Sequence, residues 1–335
     1  MARILVERFV TSFIKLFGIV VILFIVTHML PADPAAVAAG TNARPEQIEA
    51  IRQQMGLDQP FLVQFGTYMR GLAQGDLGTS LRTRRPVLED LKIFFPATLE
   101  LALISALVIV VVGIFLGIMA ALTAGSWLDI AIRLGVVVGM GVPSFVLGLF
   151  LQLLFSKELG WFPLESRLDT LLAPPSHVTG MYTLDSLLAG DWEALRSSLN
   201  HLVLPVTALT LGRLAVGVRF TRSGMLEILA QPYIRTARAK GLQERTIIFK
   251  HAFRNALIPV VTMLGIQIGF LLSGAVLVEV IFTWPGLGRY AVDSVLAFDF
   301  FGVIGAALVM AIVFVTSNTI VDLLYIQLDP RIRYT

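Results

Sequence analysis

A basic stretch in the second half of the chain reads Tyr233-Ile234-Arg235-Thr236-Ala237-Arg238-Ala239-Lys240-Gly241. Pro232 precedes this stretch, and proline suits the first turn of a helix because its missing N–H costs no hydrogen bond there. Gly241 closes the stretch, and glycine most easily adopts the left-handed conformation that ends many helices. The pattern therefore predicts one short, positively charged helix between these two residues.

A second helical stretch is expected directly after this helix, over residues 244–257, and Pro259 ends it. Both helices belong to a basic segment, residues 219–257, that separates two long apolar runs. Its cations face only Glu227 and Glu244; they are Arg219, Arg222, Arg235, Arg238, Lys240, Arg245, Lys250 and Arg254. Beside apolar runs, such an excess of Lys and Arg indicates a cytosolic segment rather than a nucleic-acid surface.

The apolar residues occur in blocks long enough to cross a membrane. The chain is 56% hydrophobic, its mean hydropathy is +0.81, and blocks of about twenty apolar residues are typical of membrane spans. We predict an all-α integral membrane protein with six transmembrane helices, at residues 9–30, 98–123, 130–155, 201–218, 258–280 and 301–325. An even number of spans places both termini on the same side, which we expect to be the cytosol.

The first apolar block allows two interpretations. Arg3 and Arg8 precede it, and Ala36-Val37-Ala38 weakly resembles the cleavage site of a signal peptide. The block is long for a signal peptide, so a retained span is favoured. The N-terminus is cytosolic in either case.

The basic stretch and its surroundings resemble the EAA loop of permease subunits in bacterial ABC importers. Arg235-Thr236-Ala237 stands where the family has Glu-Ala-Ala, and Gly241 and Leu242 follow at the family's glycine and the position after it. The loop ends in Arg254-Asn255-Ala256-Leu257-Ile258-Pro259. These features are typical of the peptide-transporter branch, and they make the chain resemble its DppB/OppB-like members.

Other stretches resemble the same family in the same order. Three lie before the second span: Pro31-Ala32-Asp33-Pro34, Gly56-Leu57-Asp58-Gln59-Pro60 and Gly75-Asp76-Leu77-Gly78-Thr79-Ser80. The periplasmic motif of the family is matched by Trp284, Pro285, Gly286 and Gly288 after Phe282. The resemblance implies the type I ABC importer permease fold. The expected organisation is a first span (1–30), a periplasmic region (31–97) and a five-span core (98–335) that contains the cytosolic loop 219–257.

The sequence offers no constellation for catalysis. It contains no phosphate-binding loop, no cysteine and no zinc-binding pair of histidines on one helix. The resemblance therefore implies a non-enzymatic subunit of an ATP-driven importer for di- or oligopeptides, whose partner ATPase subunits bind ATP and Mg. It also implies a second permease of the DppC/OppC-like kind, two ATPase subunits or domains and a periplasmic binding protein. The residues expected to dock an ATPase are Tyr233, Arg235, Thr236, Ala237, Arg238, Ala239, Lys240, Gly241 and Leu242.

The candidate pathway residues are the polar side chains of the last two spans: Gln267, Ser273 and Asn318. A lipid-facing amide would lack partners, so Gln267 is expected to face protein or a polar path. Glu279 lies near the outer end of its span, and an interfacial position is favoured over a buried functional carboxylate. Gly141 and Pro143 predict a bend in the third span, and the pairs Gly113/Gly117 and Gly135/Gly139 predict close helix packing.

Several alternatives stay open from the sequence. Residues 156–200 either contact a periplasmic partner or only connect two spans. Nickel-chelate and glutathione importers of the same family have similar permeases, so they remain alternative functions. An ion-coupled secondary carrier is less favoured, because such carriers often have internal repeats and ionisable residues at the membrane midplane, and neither is evident here.

Overall fold

The computed structural model describes residues 2–29, 33–40, 42–256, 271 and 274–328, with the side chains of residues 10–26, 33–40, 42–256, 271 and 274–320. The described residues are almost entirely helical and contain no strand beyond the isolated bridge between Thr79 and Pro86. The helical fold predicted from the apolar blocks is thus confirmed. The chain divides into two units, Met1–Thr98 with Pro285–Val315, and Leu99–Trp284 with Thr316–Thr335.

The helices of the first half are α1 (Ala2–Met29), α2 (Pro34–Ala39), α3 (Pro45–Gln54), α4 (Phe61–Ala73), α5 (Val87–Leu122), α6 (Trp127–Gly141) and α7 (Ser144–Leu151). The helices of the second half are α8 (Tyr182–Ala189), α9 (Trp192–Leu229), α10 (Pro232–Ala239), α11 (Glu244–Thr246), α12 (residues 274–281), α13 (Leu287–Leu296) and α14 (Phe300–Leu328). Two π-helical segments, Gln152–Glu158 and Ile247–Phe253, continue α7 and α11.

Among the described residues, three helices are long and apolar enough to cross a membrane: Val87–Leu122, Trp192–Leu229 and Phe300–Ile320 of α14. The bent pair formed by α6 and α7 makes a fourth candidate, and α1 contains a shorter apolar stretch, Val10–Val26. Most of the predicted fifth span, residues 258–280, lies outside the described residues. Two helices are longer than the spans predicted within them, because α5 begins at Val87, before the predicted span 98–123, and α9 extends over 38 residues around the predicted span 201–218.

The third span bends where the sequence predicts it. The axes of α6 and α7 differ by 101°. Between the helices Val142 is extended, with φ −101° and ψ 124°, and Pro143 caps α7. Proline has no N–H to continue the hydrogen bonds of α6 and disfavours helical geometry at the residue before it, so the chain turns here.

The first unit has an apolar core and a buried polar cluster. The core is formed by Val20, Leu77, Val87, Leu91, Leu287, Tyr290, Ala306 and Leu308. In the polar cluster the Ser80 hydroxyl donates to Asp299 at 2.5 Å, and the backbone N–H of Leu81 donates to the same carboxylate at 3.0 Å. These bonds fix the loop that carries the Gly75–Ser80 motif against the start of α14.

In the second unit, α5 packs against α9 through glycine. The Cβ that a side chain would add at Gly113 lies 3.5 Å from the Cα of Gly217, and at Gly117 it lies only 2.4 Å from the Cβ of Thr221. The close packing predicted for this glycine pair is confirmed. The other predicted pair is half correct, because Gly139 contacts Leu211 whereas Gly135 has nothing within 4 Å.

Candidate docking surface

Helix α10 has the predicted bounds and the predicted end. It begins at Pro232, ends at Ala239, and Gly241 has a left-handed φ of +76°. The N–H of Gly241 donates to the carbonyl of Arg238 at 2.9 Å, and the N–H of Leu242 donates to the carbonyl of Ala237 at 3.3 Å. This pair of bonds is the Schellman arrangement, which satisfies the last carbonyls of the helix and turns the chain sharply.

One face of α10 is buried in an apolar cluster. Ile234 is fully buried and Ala237 partly so. The buried members of the cluster are Ile118, Ala121, Met225, Ile234, Ile247, Ala252 and Ala256. These residues come from α5, α9, α10 and the segment after α11, so packed side chains join α10 to the C-terminal ends of two long helices.

The opposite face of α10 is exposed and mostly polar or cationic. Its exposed residues are Tyr233, Arg235, Thr236, Arg238, Ala239, Lys240, Gly241 and Leu242. Arg238 forms two hydrogen bonds with Glu244, at 2.7 and 3.4 Å, and these bonds raise the pKa of Arg238. Tyr233 accepts a hydrogen bond from Asn255 at 3.0 Å. The helix is therefore held at both ends by side-chain bonds to the following segment.

The second helical stretch differs from the prediction in its geometry. Residues 244–246 are α-helical, but Ile247–Phe253 is π-helical before residues 254–256 return to an α-helix. Leu257 lies outside the described residues. Ile247 is fully buried while Phe249 is 54% exposed. Tyr233, Leu242 and Phe249 thus add apolar surface to the cationic face.

Part of the predicted loop 219–257 is continuous with α9. Arg219 and Arg222 belong to α9, which continues without interruption to Leu229. Arg222 is bound to the buried Asp129 by two hydrogen bonds of 2.8 Å. The exposed segment therefore begins about one turn before Pro232, and the two arginines serve a different site. The residue sequence alone gave no signal for the pairing, because Asp129 and Arg222 are far apart in the chain.

Three comparisons with known proteins bear on this surface. A family model described as "binding-protein-dependent transport system inner membrane component" matches residues 113–334, and the model of its N-terminal region matches residues 1–102. The chain belongs to this family.

Individual relatives support the same family. The chain is 50% identical over 315 residues to the "Probable D,D-dipeptide transport system permease protein DdpB" of Escherichia coli (strain K12), covering 94% of this chain and 93% of the relative. It is 41% identical to the "Dipeptide transport system permease protein DppB" of Alkalihalophilus pseudofirmus, covering 95% and 96%. It is 39% identical to the "Glutathione transport system permease protein GsiC" of Shigella flexneri over all of both chains.

A solved structure of the MetNI methionine ABC transporter has the same fold, with a TM-score of 0.52 and 15% identity over 70% of this chain and 93% of that one. The chain is thus a non-catalytic inner-membrane permease subunit with the type I importer fold. Membership in a binding-protein-dependent transport family also implies a substrate-binding protein and ATPase partners.

The described residues include only one of the three candidate pathway residues. Gln267 and Ser273 lie outside the described residues. Asn318 is half-buried on α14. Glu279 is fully buried, as the alternative of a buried functional carboxylate requires, and its depth in the membrane and its function stay predictions.

The Trp284–Gly288 motif forms a buried turn. Its aromatic residue, Trp284, is only 1% exposed. Its ring centroid lies 5.5 Å from the guanidinium carbon of Arg167. Gly286 precedes α13 as its N-cap, and Gly288 is buried in the first turn of that helix. The motif is thus a turn packed inside the protein at the start of α13.

A buried ion pair between Glu100 and Arg167 was not predicted. Arg167 Nη2 lies 2.6 Å from Glu100 Oε2, and Thr183 donates to Glu100 Oε1 from its N–H and its hydroxyl, both at 2.7 Å. The guanidinium also lies 3.8 Å from the ring centroid of Tyr182. One signal could have revealed the pair, since a glutamate near the start of an apolar span requires a partner.

The segment 156–200 is folded: it contains helix α8 and a hydrogen-bonded loop before it. The carboxylate of Asp185 accepts hydrogen bonds from the backbone N–H groups of Val178, Thr179 and Gly180, at 3.3, 2.8 and 2.9 Å. Burial raises the pKa of Asp185, but these bonds and the Thr179 hydroxyl outweigh it and lower the pKa overall. The loop before α8 is thereby held in one conformation.

Proposed function

We propose that this chain is the permease subunit of an ATP-driven importer for short peptides. The observation that carries the proposal is the 50% identity, over nearly the whole of both chains, to a permease named for D,D-dipeptide transport. Relatives named for dipeptide and di/tripeptide transport, at 41% and 42% identity, support the same substrate class. In this proposal the spans form half of a translocation pathway, and Gln267, Ser273 and Asn318 are candidates to line it.

The exposed face of α10 is proposed to dock an ATPase subunit. Its buried Ile234 connects it to the inner ends of α5 and α9, while the cations and Tyr233 remain available to a partner. Two ATPase subunits or domains, each binding ATP and Mg, would drive transport together with a second permease of the DppC/OppC-like kind. A periplasmic protein would deliver the peptide.

The proposed topology follows the charge of the loops. Residues 219–257 and both termini lie in the cytosol, and residues 31–96, 156–200 and 282–300 lie in the periplasm. This places the Trp284–Gly288 motif outside and α10 inside. The expected organisation of 1–30, 31–97 and 98–335 as first span, periplasmic region and permease core is retained as part of the proposal.

Transport by reconstituted complexes tests the substrate class. The chain, its second permease, its ATPases and its binding protein are placed in proteoliposomes and supplied with labelled dipeptide, tripeptide, glutathione or nickel chelate. ATP-dependent accumulation of di- and tripeptides is expected, and the isolated chain should hydrolyse no ATP. Accumulation of nickel chelate without any peptide would contradict the proposal.

Glutathione is a second candidate substrate. The full-length similarity to permeases named for glutathione transport, at 39% identity, favours it. Glutathione is itself a small peptide, so the same assay separates the candidates. Competition of dipeptide uptake by glutathione would indicate one shared pathway, whereas glutathione uptake without dipeptide uptake would select the second candidate.

A further inference from the structure

A groove on the second unit has one cationic end and one apolar end. It encloses about 420 Å³ between α6 and α9. The residues at its cationic end are Arg133, Arg219, Arg222 and Ser223, and its apolar wall on α6 is formed by Ile130, Leu134, Val137 and Met140. The docking and transport roles described above do not use this groove.

The cationic end carries an excess of positive charge. Asp129 is its buried acid, and the carboxylate is bound by Arg222 at 2.8 Å and by Arg133 at 3.2 Å. Arg219 also lines the groove and is exposed. Three arginines against one aspartate leave this end with a net charge of about +2, which favours an anionic group.

The apolar end of the groove lies beyond Arg133 on α6. Leu134 and Met140 are six residues apart, or about 9 Å at the rise of an α-helix. One leaflet of the hydrocarbon core is about 15 Å deep, so this wall can contact part of one acyl chain. Leu134, Val137 and Met140 are all exposed, so the wall is open to a chain lying along it.

The groove also has the polarity of a phospholipid in the inner leaflet. Arg222 lies closer than Ala215 to the end of α9 that leads into α10, and Arg133 lies closer than Met140 to the start of α6. The charged end is thus towards the docking helix, which the proposed topology places in the cytosol. Basic pockets between transmembrane helices on that side bind anionic headgroups.

We propose that this groove binds one anionic phospholipid, with its phosphate at Arg219 and Arg133 and one acyl chain along Leu134, Val137 and Met140. The inner-leaflet location rests on the proposed topology, but binding itself does not. A lipid seated here contacts α9 about three turns before α10. A change in lipid composition would thus change the contacts of α9, the helix that leads to the docking surface.

Native mass spectrometry of the assembled transporter tests the site. The delipidated complex is titrated with dioleoylphosphatidylglycerol, with dioleoylphosphatidylcholine of the same chain length, and with glycerol 3-phosphate. We expect one tightly bound phosphatidylglycerol, weaker phosphatidylcholine, and no competition by glycerol 3-phosphate, which separates a lipid from a free phosphate. Selective binding of glycerol 3-phosphate alone would overturn the proposal.

Two variants and a control locate the binding. Arg219→Gln should weaken phosphatidylglycerol binding about fivefold, which corresponds to about 1 kcal/mol for one cation near an anionic surface. Val137→Trp fills the apolar end and should abolish the tight site with all charges intact. Arg196→Gln removes an exposed arginine from the other end of α9 and should leave binding unchanged.

The competing occupant is a helix of the second permease. A cysteine placed at Val137 in the cysteine-free chain should react with an acyl-chain maleimide and should not cross-link to cysteines in the second permease. Efficient cross-linking between the subunits, or loss of complex assembly in Val137→Trp, would show that a protein covers the groove and would refute the lipid site. Unchanged phosphatidylglycerol binding in both Arg219→Gln and Val137→Trp would refute it equally.

Discussion

Arg167 and Glu100 form a buried ion pair of 2.6 Å that joins the loop after α7 to the long helix α5. Both side chains are at most 6% exposed. Desolvating two charges is costly, and the stacking of Arg167 on Tyr182 together with the two bonds from Thr183 offsets part of that cost. The pair orients the segment 156–200 relative to the spans of its own unit.

Removing one partner of this pair should destabilise the permease strongly. Glu100→Gln leaves the guanidinium of Arg167 without a counter-charge in a buried site, and such a loss costs about 3–5 kcal/mol. The control is Glu49→Gln, which removes an exposed partner of Arg52 worth at most about 1 kcal/mol. Thermal unfolding in detergent should show a much lower melting temperature for Glu100→Gln than for the unaltered chain, and an unchanged one for Glu49→Gln. Equal melting temperatures would mean that the pair is not formed.

The two glycine pairs supply a matched test of helix packing. Gly117→Leu places a side chain where a Cβ would already lie 2.4 Å from Thr221, so α5 and α9 must separate. Gly135→Leu meets nothing within 4 Å. We expect Gly117→Leu to lower the yield of folded protein and its melting temperature, and Gly135→Leu to have little effect. The reverse order would show that α5 and α9 do not pack here.

A branched side chain at Gly241 should disrupt coupling. Gly241→Val forces a β-branched residue into φ +76°, at a cost of about 1–2 kcal/mol, and misdirects the segment after α10. ATPase binding or substrate-stimulated hydrolysis should decrease while membrane insertion continues. Gly241→Asn is the control, since asparagine tolerates the left-handed conformation. Normal uptake with Gly241→Val would refute the coupling role.

Cysteine labelling tests the proposed topology. The native chain has no cysteine, so single cysteines report cleanly. Ser80 is buried, which makes it a poor site, whereas Gln74 and Lys240 are exposed. In intact cells an impermeant maleimide should label Gln74→Cys from outside and should label Lys240→Cys only after the membrane is opened. The opposite pattern would invert the topology.

The loop around Asp185 should loosen in acid. Because the pKa of Asp185 is lowered on folding, its carboxylate stabilises the loop above the unfolded pKa of about 3.9. That contribution is lost as the pH falls through the folded value. Amide exchange of Val178, Thr179 and Gly180 should therefore accelerate in acid, beyond the intrinsic dependence on pH. In Asp185→Asn the exchange should be fast already at neutral pH, and slow exchange in that variant would contradict the account.

Local features were predictable because their causes lie within a few residues. The start of α10 follows from Pro232, its end from Gly241, and the bend of the third span from Pro143. Each of these three residues constrains the backbone conformation at its own position. Boundaries were less predictable, since α5 and α9 continue beyond their apolar blocks into polar sequence that is helical through packing and capping.

The sequence by itself determined the membrane class, the family resemblance and the bounds of α10, because hydrophobic blocks and backbone preferences are local properties of the chain. Only the tertiary structure decided that Glu100 pairs with Arg167, that Asp129 holds Arg222, and that Glu279 is buried. The partners of the two pairs are 67 and 93 residues apart. Charged groups in a low-dielectric interior need partners, but which partner each one finds depends on how the helices pack.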